Sequence, residues 1–254
     1  MKHRAKKEFG QNFLTNQNIV KKIIEKAKLS ETDIVLEIGP GKGFMTDFLL
    51  ANAKTVLAIE LDKDLFDFLT NKYKDTENLD LIQGDCLKKD WTNKPNKLIA
   101  NIPYNITSSI IFKMLDYYEQ FDSIILMMQE EVGDRIVAPH DSKTYGILSV
   151  ILQKFYNIEK FAKLPPSMFN PKPKVSSALL EFKPKTKKLD KQQLQNYINF
   201  VKFCFNQRRK ILLSRMPILN AFYEKNNLNK KVRPENISVE MFWQMFEESF
   251  SNEK

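Results

Sequence analysis

Three of the chain's seven glycines fall in Glu37-Ile-Gly-Pro-Gly-Lys-Gly43, after a short apolar run and before a segment of helical period. Glycine permits a tight turn and lets a ligand approach the backbone. The start of the following helix adds unpaired N–H groups. Together these suit a nucleotide-type ligand without naming it. The spacing is not the dinucleotide fingerprint, because the third glycine comes one residue early and Phe44 stands where it is wanted. Glu60 ends the second apolar run, 21 residues after Gly39. A carboxylate there can accept bonds from two ribose hydroxyls. Asp85, in Gln83-Gly-Asp-Cys86, ends the third run, where it can accept a bond from an adenine amino group. Ordinary turn chemistry, with Glu60 and Asp85 as helix caps, is the competing reading. The fourth run ends in Asn101-Ile-Pro-Tyr104, an amide followed by a rigid proline and an aromatic ring.

These residues need a scaffold that brings strand ends together. The runs 33–38, 55–60, 79–83, 98–101 and 123–128 have strand length, and segments 16–28, 43–52, 62–74, 107–118 and 129–138 have helical period. Nearly continuous apolar strands alternating with amphipathic helices predict a parallel sheet covered on both faces, an α/β fold. Residues 145–156 are read as helix. Residues 157–163 and 175–182 form a hairpin across a proline-rich turn, Leu164 to Pro173, that contains Phe169. Residues 183–191 hold five lysines in nine positions and are the best linker. Residues 192–251 read as helical, with breaks at Pro217 and Pro234. The expected organisation is therefore a ligand-binding domain over 1–184 and a small helical domain over 185–254.

Composition narrows the partner. The 254 residues carry 40 Lys+Arg against 31 Asp+Glu, for a net charge of +9. The charge is segregated: residues 1–30 are +6, residues 31–150 are −8 and residues 151–254 are +11. Two basic flanks around an acidic centre suit a polyanion gripped from two sides, since each cation on a phosphate releases counterions. Scattered solvated lysines are the plainer alternative. No apolar run approaches a membrane span, and the basic N-terminus has no apolar core of a secretory signal. Two cysteines far apart in sequence, Cys86 and Cys204, suggest reduced thiols in a cytoplasmic protein. With only His3 and His140, neither a metal site nor a histidine triad is expected.

The Asn101-Ile-Pro-Tyr104 block after such a sheet resembles the signature of S-adenosylmethionine-dependent methyltransferases that act on exocyclic adenine or cytosine amines. Phe9-Gly-Gln-Asn-Phe-Leu14, Gln129-Glu-Glu-Val-Gly-Asp-Arg135, Tyr145-Gly-Ile-Leu-Ser-Val150, Phe169-Asn-Pro-Lys-Pro-Lys-Val175, Phe205-Asn-Gln-Arg-Arg-Lys210 and Arg233-Pro-Glu-Asn-Ile-Ser238 narrow the likeness. Together they resemble the KsgA family of bacterial small-subunit rRNA adenine dimethyltransferases, from about residue 4 to residue 245. The resemblance implies a class I (Rossmann-like) methyltransferase sheet with a small all-helical C-terminal domain. It implies methylation of two adjacent adenosines near the 3′ end of 16S rRNA, in the 30S subunit or its precursor, by a monomer. It places S-adenosylmethionine against Gln11, Asn12, Leu14, Gly39, Gly41, Glu60, Leu61, Asp85, Cys86 and Asn101. It also places Phe169 on the second face of the base, opposite Tyr104. Glu130 departs from the family's usual lysine at that position.

The chemistry follows from residue types. An adenine amine is a poor nucleophile because its lone pair is delocalised into the ring. Acceptors held out of the ring plane favour a pyramidal nitrogen; the Asn101 oxygen and a carbonyl near Ile102–Pro103 can supply them. Pro103 has no N–H to compete and stiffens the loop, and Tyr104 offers a ring for the extruded base. Arg208, Arg209, Lys210 and Arg215, with Lys172 and Lys174, are the candidate RNA contacts. Two other readings are weighed: a macrolide-resistance enzyme acting on large-subunit rRNA, and an assembly checkpoint acting mainly by binding. A nicotinamide dehydrogenase leaves the Asn101–Tyr104 block unexplained.

Overall fold

The apolar runs become strands and the amphipathic segments between them become helices. In the computed structural model the described residues are 6, 10–91, 95–185, 190–207 and 210–251, with side chains to residue 249. The first half runs β1 (Phe13–Leu14), α1 (Gln17–Ala27), β2 (Ile34–Ile38), α2 (Phe44–Leu50), β3 (Thr55–Glu60), α3 (Lys63–Lys72), β4 (Leu79–Gln83), β5 (Lys97–Asn101), α4 (Thr107–Leu115) and β6 (Ser123–Gln129). The second half runs α5 (Glu130–Val137), α6 (Ile147–Phe155), β7 (Tyr156–Leu164), β8 (Phe169–Asn170), β9 (Ser177–Pro184), α7 (Lys191–Phe205), α8 (Asn220–Lys225) and α9 (Val239–Ser251).

Seven strands form one sheet in the order β4-β3-β2-β5-β6-β9-β7. The first five are parallel, and β9 runs antiparallel to β6, with Leu126 opposite Leu180. The sheet starts at β2 and builds outward in both directions, so the crevice above β2 and β5 is the topological switch point where such sheets bind ligands. On one face, Val20, Ile23 and Ala27 of α1 and Met45 and Leu49 of α2 pack in one core with Val35, Val56, Ile99, Ile125 and Met127. Burying such a side chain contributes roughly 1.5–3 kcal/mol. The lysines of α1 stay outside, as the helical period requires.

Two compact units result: residues Met1–Gly133 with Glu159–Pro184, and residues Asp134–Ile158 with Lys185–Lys254. Residues 134–158, expected within the first domain, group with the C-terminal helices because α6 packs on α7 and α9. In that second unit Tyr197, fully buried, meets the rings of Trp243, Phe246 and Phe155 at 5.0, 5.3 and 5.9 Å. The region 192–251 is less continuously helical than its period suggests. Pro217 and Pro234 each open a 3₁₀ turn, and among the described residues the regular helices there are α7, α8 and α9. Of the expected linker, Lys183 and Pro184 end β9, Asp190 caps α7 by accepting from Gln193 N–H at 2.8 Å, and residues 186–189 lie outside the described ones.

The two-residue pair β1–β8 was not readable from alternation, being too short to show any. It sets Phe13 opposite Asn170 and Leu14 opposite Phe169. Among the described residues no helix is long and apolar enough to cross a membrane.

At the edge of the sheet opposite the switch point one side chain joins three strands. Asn96 Oδ1 accepts from Ile34 N–H at 2.8 Å, while its Nδ2 donates to Asp33 Oδ1 at 2.6 Å and Asp122 Oδ2 at 2.9 Å. Burial opposes ionisation of Asp33, yet the bonds from Asn96 and Ser30 hold its carboxyl below the usual range. Asn96→Ala leaves these groups short of partners, with an expected loss of about 1–3 kcal/mol in urea unfolding. Unchanged stability would show that the junction is dispensable.

Candidate functional site

Parallel registers bring four strand ends to one edge. Ile38 lies opposite Ile59 and Ala100, and Glu60 opposite Gln83, so the residues that follow β2, β3, β4 and β5 cluster. After β2, Gly39 and Gly41 take φ of +69° and +62°, a left-handed region that glycine enters without strain. A Cβ on Gly39 would meet nothing within 4 Å and would stand in open space; one on Gly41 would strike the Phe13 ring at 2.9 Å. The turn is held by Gly39 N–H on the Ile59 carbonyl at 2.9 Å.

Glu60 locks this turn to its own strand end. Its Oε2 accepts from Gly41 N–H at 3.0 Å and its Oε1 from Asp62 N–H at 2.9 Å. Burial pushes its carboxyl up, and the two backbone donors oppose that shift. Asp85 is partly a turn residue, as the competing reading held, with Oδ1 accepting from Leu87 N–H at 2.9 Å. Glu60 is not a cap: Asp62 caps α3, accepting from Asp64 N–H at 3.0 Å.

Asn101, the last residue of β5, donates from Nδ2 to the Asn12 carbonyl at 2.9 Å. That bond leaves Oδ1 as the acceptor end, and no hydrogen bond from the described residues reaches it. Tyr104 stands in the 3₁₀ turn after Pro103, its hydroxyl 2.7 Å from Ser177 Oγ; burial raises its pKa.

Two cavities open here, of about 190 and 330 Å³. The first is walled by Gln11, Asn12, Gly39, Gly41, Glu60, Leu61, Asp85, Cys86, Asn101, Pro103 and Tyr104, all expected from the sequence. Leu14 lies on the second, with Gly39, Gly41 and Asn101 shared between the two. Phe169 is brought to neither. It is 3% exposed and packs in the core with Leu14 and Leu164, a placement that offers no open face to a base. Burial lifts the Cys86 thiol to about 11, which leaves it un-ionised near neutral pH.

Sequence reasoning missed Phe13, whose ring packs at Gly41 with Lys42 Nζ 5.0 Å from its centroid. It also missed a polar latch on the N-terminal segment. Lys6 Nζ reaches Asp62 Oδ1 at 2.7 Å and Asp64 at 2.8 Å, and Gln11 bonds Asp62 Oδ2 at 2.9 Å. Against burial, these bonds hold the Asp62 carboxyl low. No spacing signal ties residues so far apart.

Of the expected RNA contacts, Lys172, Lys174 and Lys210 are exposed, whereas Arg208 and Arg209 lie outside the described residues. Arg215 is half-buried, with Nη1 on the Cys204 carbonyl at 3.3 Å and its guanidinium 4.5 Å from the Phe203 ring centroid. Glu130 draws Lys163 and Lys160 to 2.9 and 3.4 Å, and the bond from Lys163 holds its carboxyl low.

A profile of the ribosomal RNA adenine dimethylase family matches residues 2–250. A ribosomal RNA small subunit methyltransferase A from Mycoplasmopsis pulmonis is 39% identical over 250 residues, covering 96% of this chain and 98% of that one. Its counterpart from Syntrophotalea carbinolica is 45% identical over 217 residues, 84% of this chain and 81% of that one. A crystal structure of a dimethyladenosine transferase from Plasmodium falciparum superposes with a TM-score of 0.81 at 28% identity, covering 95% of this chain and 98% of that one. The 23S rRNA methyltransferase ErmE shares the fold, with a TM-score of 0.75 at 24% identity over 93% of this chain and 99% of that one.

One acid at this edge has an unusual protonation. Glu37 is fully buried, and burial lifts its carboxyl from 4.5 to about 8. Between those values the folded protein keeps a proton that the unfolded chain releases, so stability falls as pH rises, by roughly 1.4 kcal/mol per unit. Glu37→Gln is expected to gain on the wild type across that window, in urea unfolding followed against pH. Parallel curves for the two proteins would contradict this account of Glu37.

Proposed function

Because the chain belongs to the ribosomal RNA adenine dimethylase family, we propose that the paired cavities of its first unit hold S-adenosylmethionine and present it to adenosines of small-subunit rRNA. The enzyme is an S-adenosylmethionine-dependent rRNA adenine dimethyltransferase. It converts two adjacent adenosines near the 3′ end of 16S rRNA to N6,N6-dimethyladenosine during small-subunit biogenesis. The observation that carries this reading is the orientation of Asn101, whose Nδ2 is committed to Asn12 while Oδ1 is left to accept.

The residues fit the cofactor. Open space at Gly39 admits a ligand against the backbone. The buried Glu60 carboxylate keeps lone pairs for two vicinal hydroxyls, and Asp85, whose Oδ1 takes the turn bond, is assigned to accept from an adenine amine through Oδ2. When bound, the cofactor supplies an electrophilic methyl group. Asn101 Oδ1 accepts one N–H of the target amine and a carbonyl at Ile102–Pro103 accepts the other. The lone pair is thereby kept on the exocyclic nitrogen rather than in the adenine ring, by acceptors already fixed before the base arrives. Tyr104 stacks on the base after it leaves its helix. Methylated nitrogen is acidic enough to lose its proton to water, so no side-chain base is required. In this reading Phe169 acts through β8, which seats Leu14, rather than as an open stacking face.

We assign the RNA grip to the basic residues Lys172, Lys174, Lys210 and Arg215, together with Arg208 and Arg209. The small subunit or its precursor is the partner, met in the cytoplasm by a monomer. The names of the bacterial relatives support the small subunit over the large one.

Purified small and large subunits lacking the modification, incubated with labelled cofactor, test the reading. Dimethyladenosine is expected in small-subunit rRNA alone; label in large-subunit rRNA, or none, would overturn it. Tyr104→Phe keeps the ring and loses only the bond to Ser177, so transfer is expected within about threefold of wild type. Tyr104→Ala loses a stack worth about 1–3 kcal/mol, and transfer should fall roughly 5- to 150-fold. Equal rates for the two variants would exclude stacking.

A further inference from the structure

Asp85 and Cys86 reach the wall of the first cavity on a lone turn, residues 85–89, that follows β4. The N–H groups of this turn close on Asp85. Its Oδ1 accepts from Leu87 N–H at 2.9 Å, and its carbonyl accepts from Lys88 and Lys89 N–H at 2.9 and 3.0 Å. The carbonyls of Cys86, Leu87 and Lys89 then face outward, and no further turn follows to receive them, as at the end of a helix. Backbone carbonyls away from water need partners.

Side chains from beyond the turn supply them. Lys113 Nζ, on α4, donates to the Leu87 and Lys89 carbonyls at 3.0 and 2.7 Å. Trp91, fully buried, donates from Nε1 to the Cys86 carbonyl at 3.0 Å. Trp91 is itself held, since Gln120 Nε2 donates to its carbonyl at 2.8 Å and its ring stacks on Tyr117 at 5.3 Å. The Lys113 ammonium also lies 5.2 Å from the Trp91 ring centroid and 5.7 Å from that of Tyr117, a favourable place for a cation. This lysine is thus engaged within the protein, capping carbonyls as a cation does at a helix end.

We propose that Lys113, together with Trp91, is a positioning residue for base selection. By fixing the turn it fixes where the Asp85 carboxylate stands, and so sets the preference for a ligand whose purine carries an exocyclic amine. The inference rests on the cofactor reading above. An amine donates to a carboxylate oxygen, whereas a carbonyl in the same place brings only lone pairs and leaves two acceptors face to face. Such a site rejects the wrong group strongly only if its own acceptor cannot step aside. Three outward carbonyls held by two side chains give the turn that rigidity.

Affinities of the full chain for S-adenosylhomocysteine and S-inosylhomocysteine, measured by calorimetry, test this. The second ligand has a carbonyl where the first has its amine. The wild type is expected to prefer the amine by about 10- to 100-fold, the scale of one hydrogen bond to a charged group. Lys113→Met keeps an unbranched stem against the rings and has no donor. Its preference is expected to shrink to about threefold or less, chiefly through weaker binding of S-adenosylhomocysteine. Trp91→Phe keeps a ring and removes the bond to Cys86, and should narrow the preference in the same direction.

A merely structural role would weaken both ligands alike and leave their ratio intact. A wild-type ratio in Lys113→Met would therefore overturn the inference, however far both affinities fell. Should Lys113→Met fail to fold, Trp91→Phe decides, and an unchanged ratio there overturns it. Equal binding of the two ligands by the wild type would overturn it as well. Failure of S-adenosylhomocysteine to bind the wild type would overturn the cofactor reading instead.

Discussion

A side-chain amide can turn either its oxygen or its nitrogen toward a cavity, and one hydrogen bond settles which in this protein. The bond from Asn101 Nδ2 to the Asn12 carbonyl, 2.9 Å long, commits the donor end and leaves the acceptor end for a ligand. Such a bond contributes only about 0.5–1.5 kcal/mol net, but much of the site is arranged to keep it. Asn101 stands at the end of a central parallel strand, with β2 and β6 on either side. Asn12 belongs to a segment held at Leu14 by pairing with Phe169 and at Gln11 by Asp62, itself bonded to Lys6. Loosening any of these would free the amide to turn over and offer donors where acceptors are needed.

The charge layout gains a structural meaning from the same edge. Glu37 and Glu60 are fully or nearly buried at strand ends, a costly placement tolerated where backbone donors, or a retained proton, compensate it. The acidic centre of the sequence thus coincides with the sheet whose strand ends wall the two cavities. The basic flanks divide: Lys6 is tied to Asp62, and Lys160 and Lys163 to Glu130, whereas Lys172, Lys174 and Lys210 are exposed to solvent. Arg215 is also held, by a bond to the Cys204 carbonyl and by the Phe203 ring.

Much of the scaffold was legible because it repeats strong periods. The apolar runs ending at Ile38, Glu60, Gln83 and Asn101 are strands that end at those residues, and α1 lies within one residue of its expected span at either end. Glycines at Gly39 and Gly41 signalled their backbone conformation directly. Contacts that depend on distant pairing were not legible. A two-residue strand such as β1 has no alternation to read, and the latch from Lys6 to Asp62 spans 56 positions. Phe169 sits in a proline-rich turn that suggested an accessible ring; its pairing with Leu14 turns it into the core instead. Residues 134–158 read as part of the first domain because their sequence carries no break, while the packing of α6 on α7 and α9 assigns them to the second unit. Glu37 was visible as the first letter of the glycine motif, but only burial and the missing donor at Oε1 reveal that it is under electrostatic tension.

On the function proposed above, acceptor geometry at Asn101, rather than acid–base chemistry, activates the target amine. Asn101→Ala, measured for methyl transfer to small-subunit rRNA and for S-adenosylhomocysteine affinity, separates chemistry from cofactor binding most directly. Transfer is predicted to fall by about 10²–10³-fold, as for removal of one preorganised group at a reacting centre. Cofactor affinity should change by less than about tenfold, the scale of one hydrogen bond. Transfer at the wild-type rate, or a loss of affinity as large as the loss of transfer, would contradict the account.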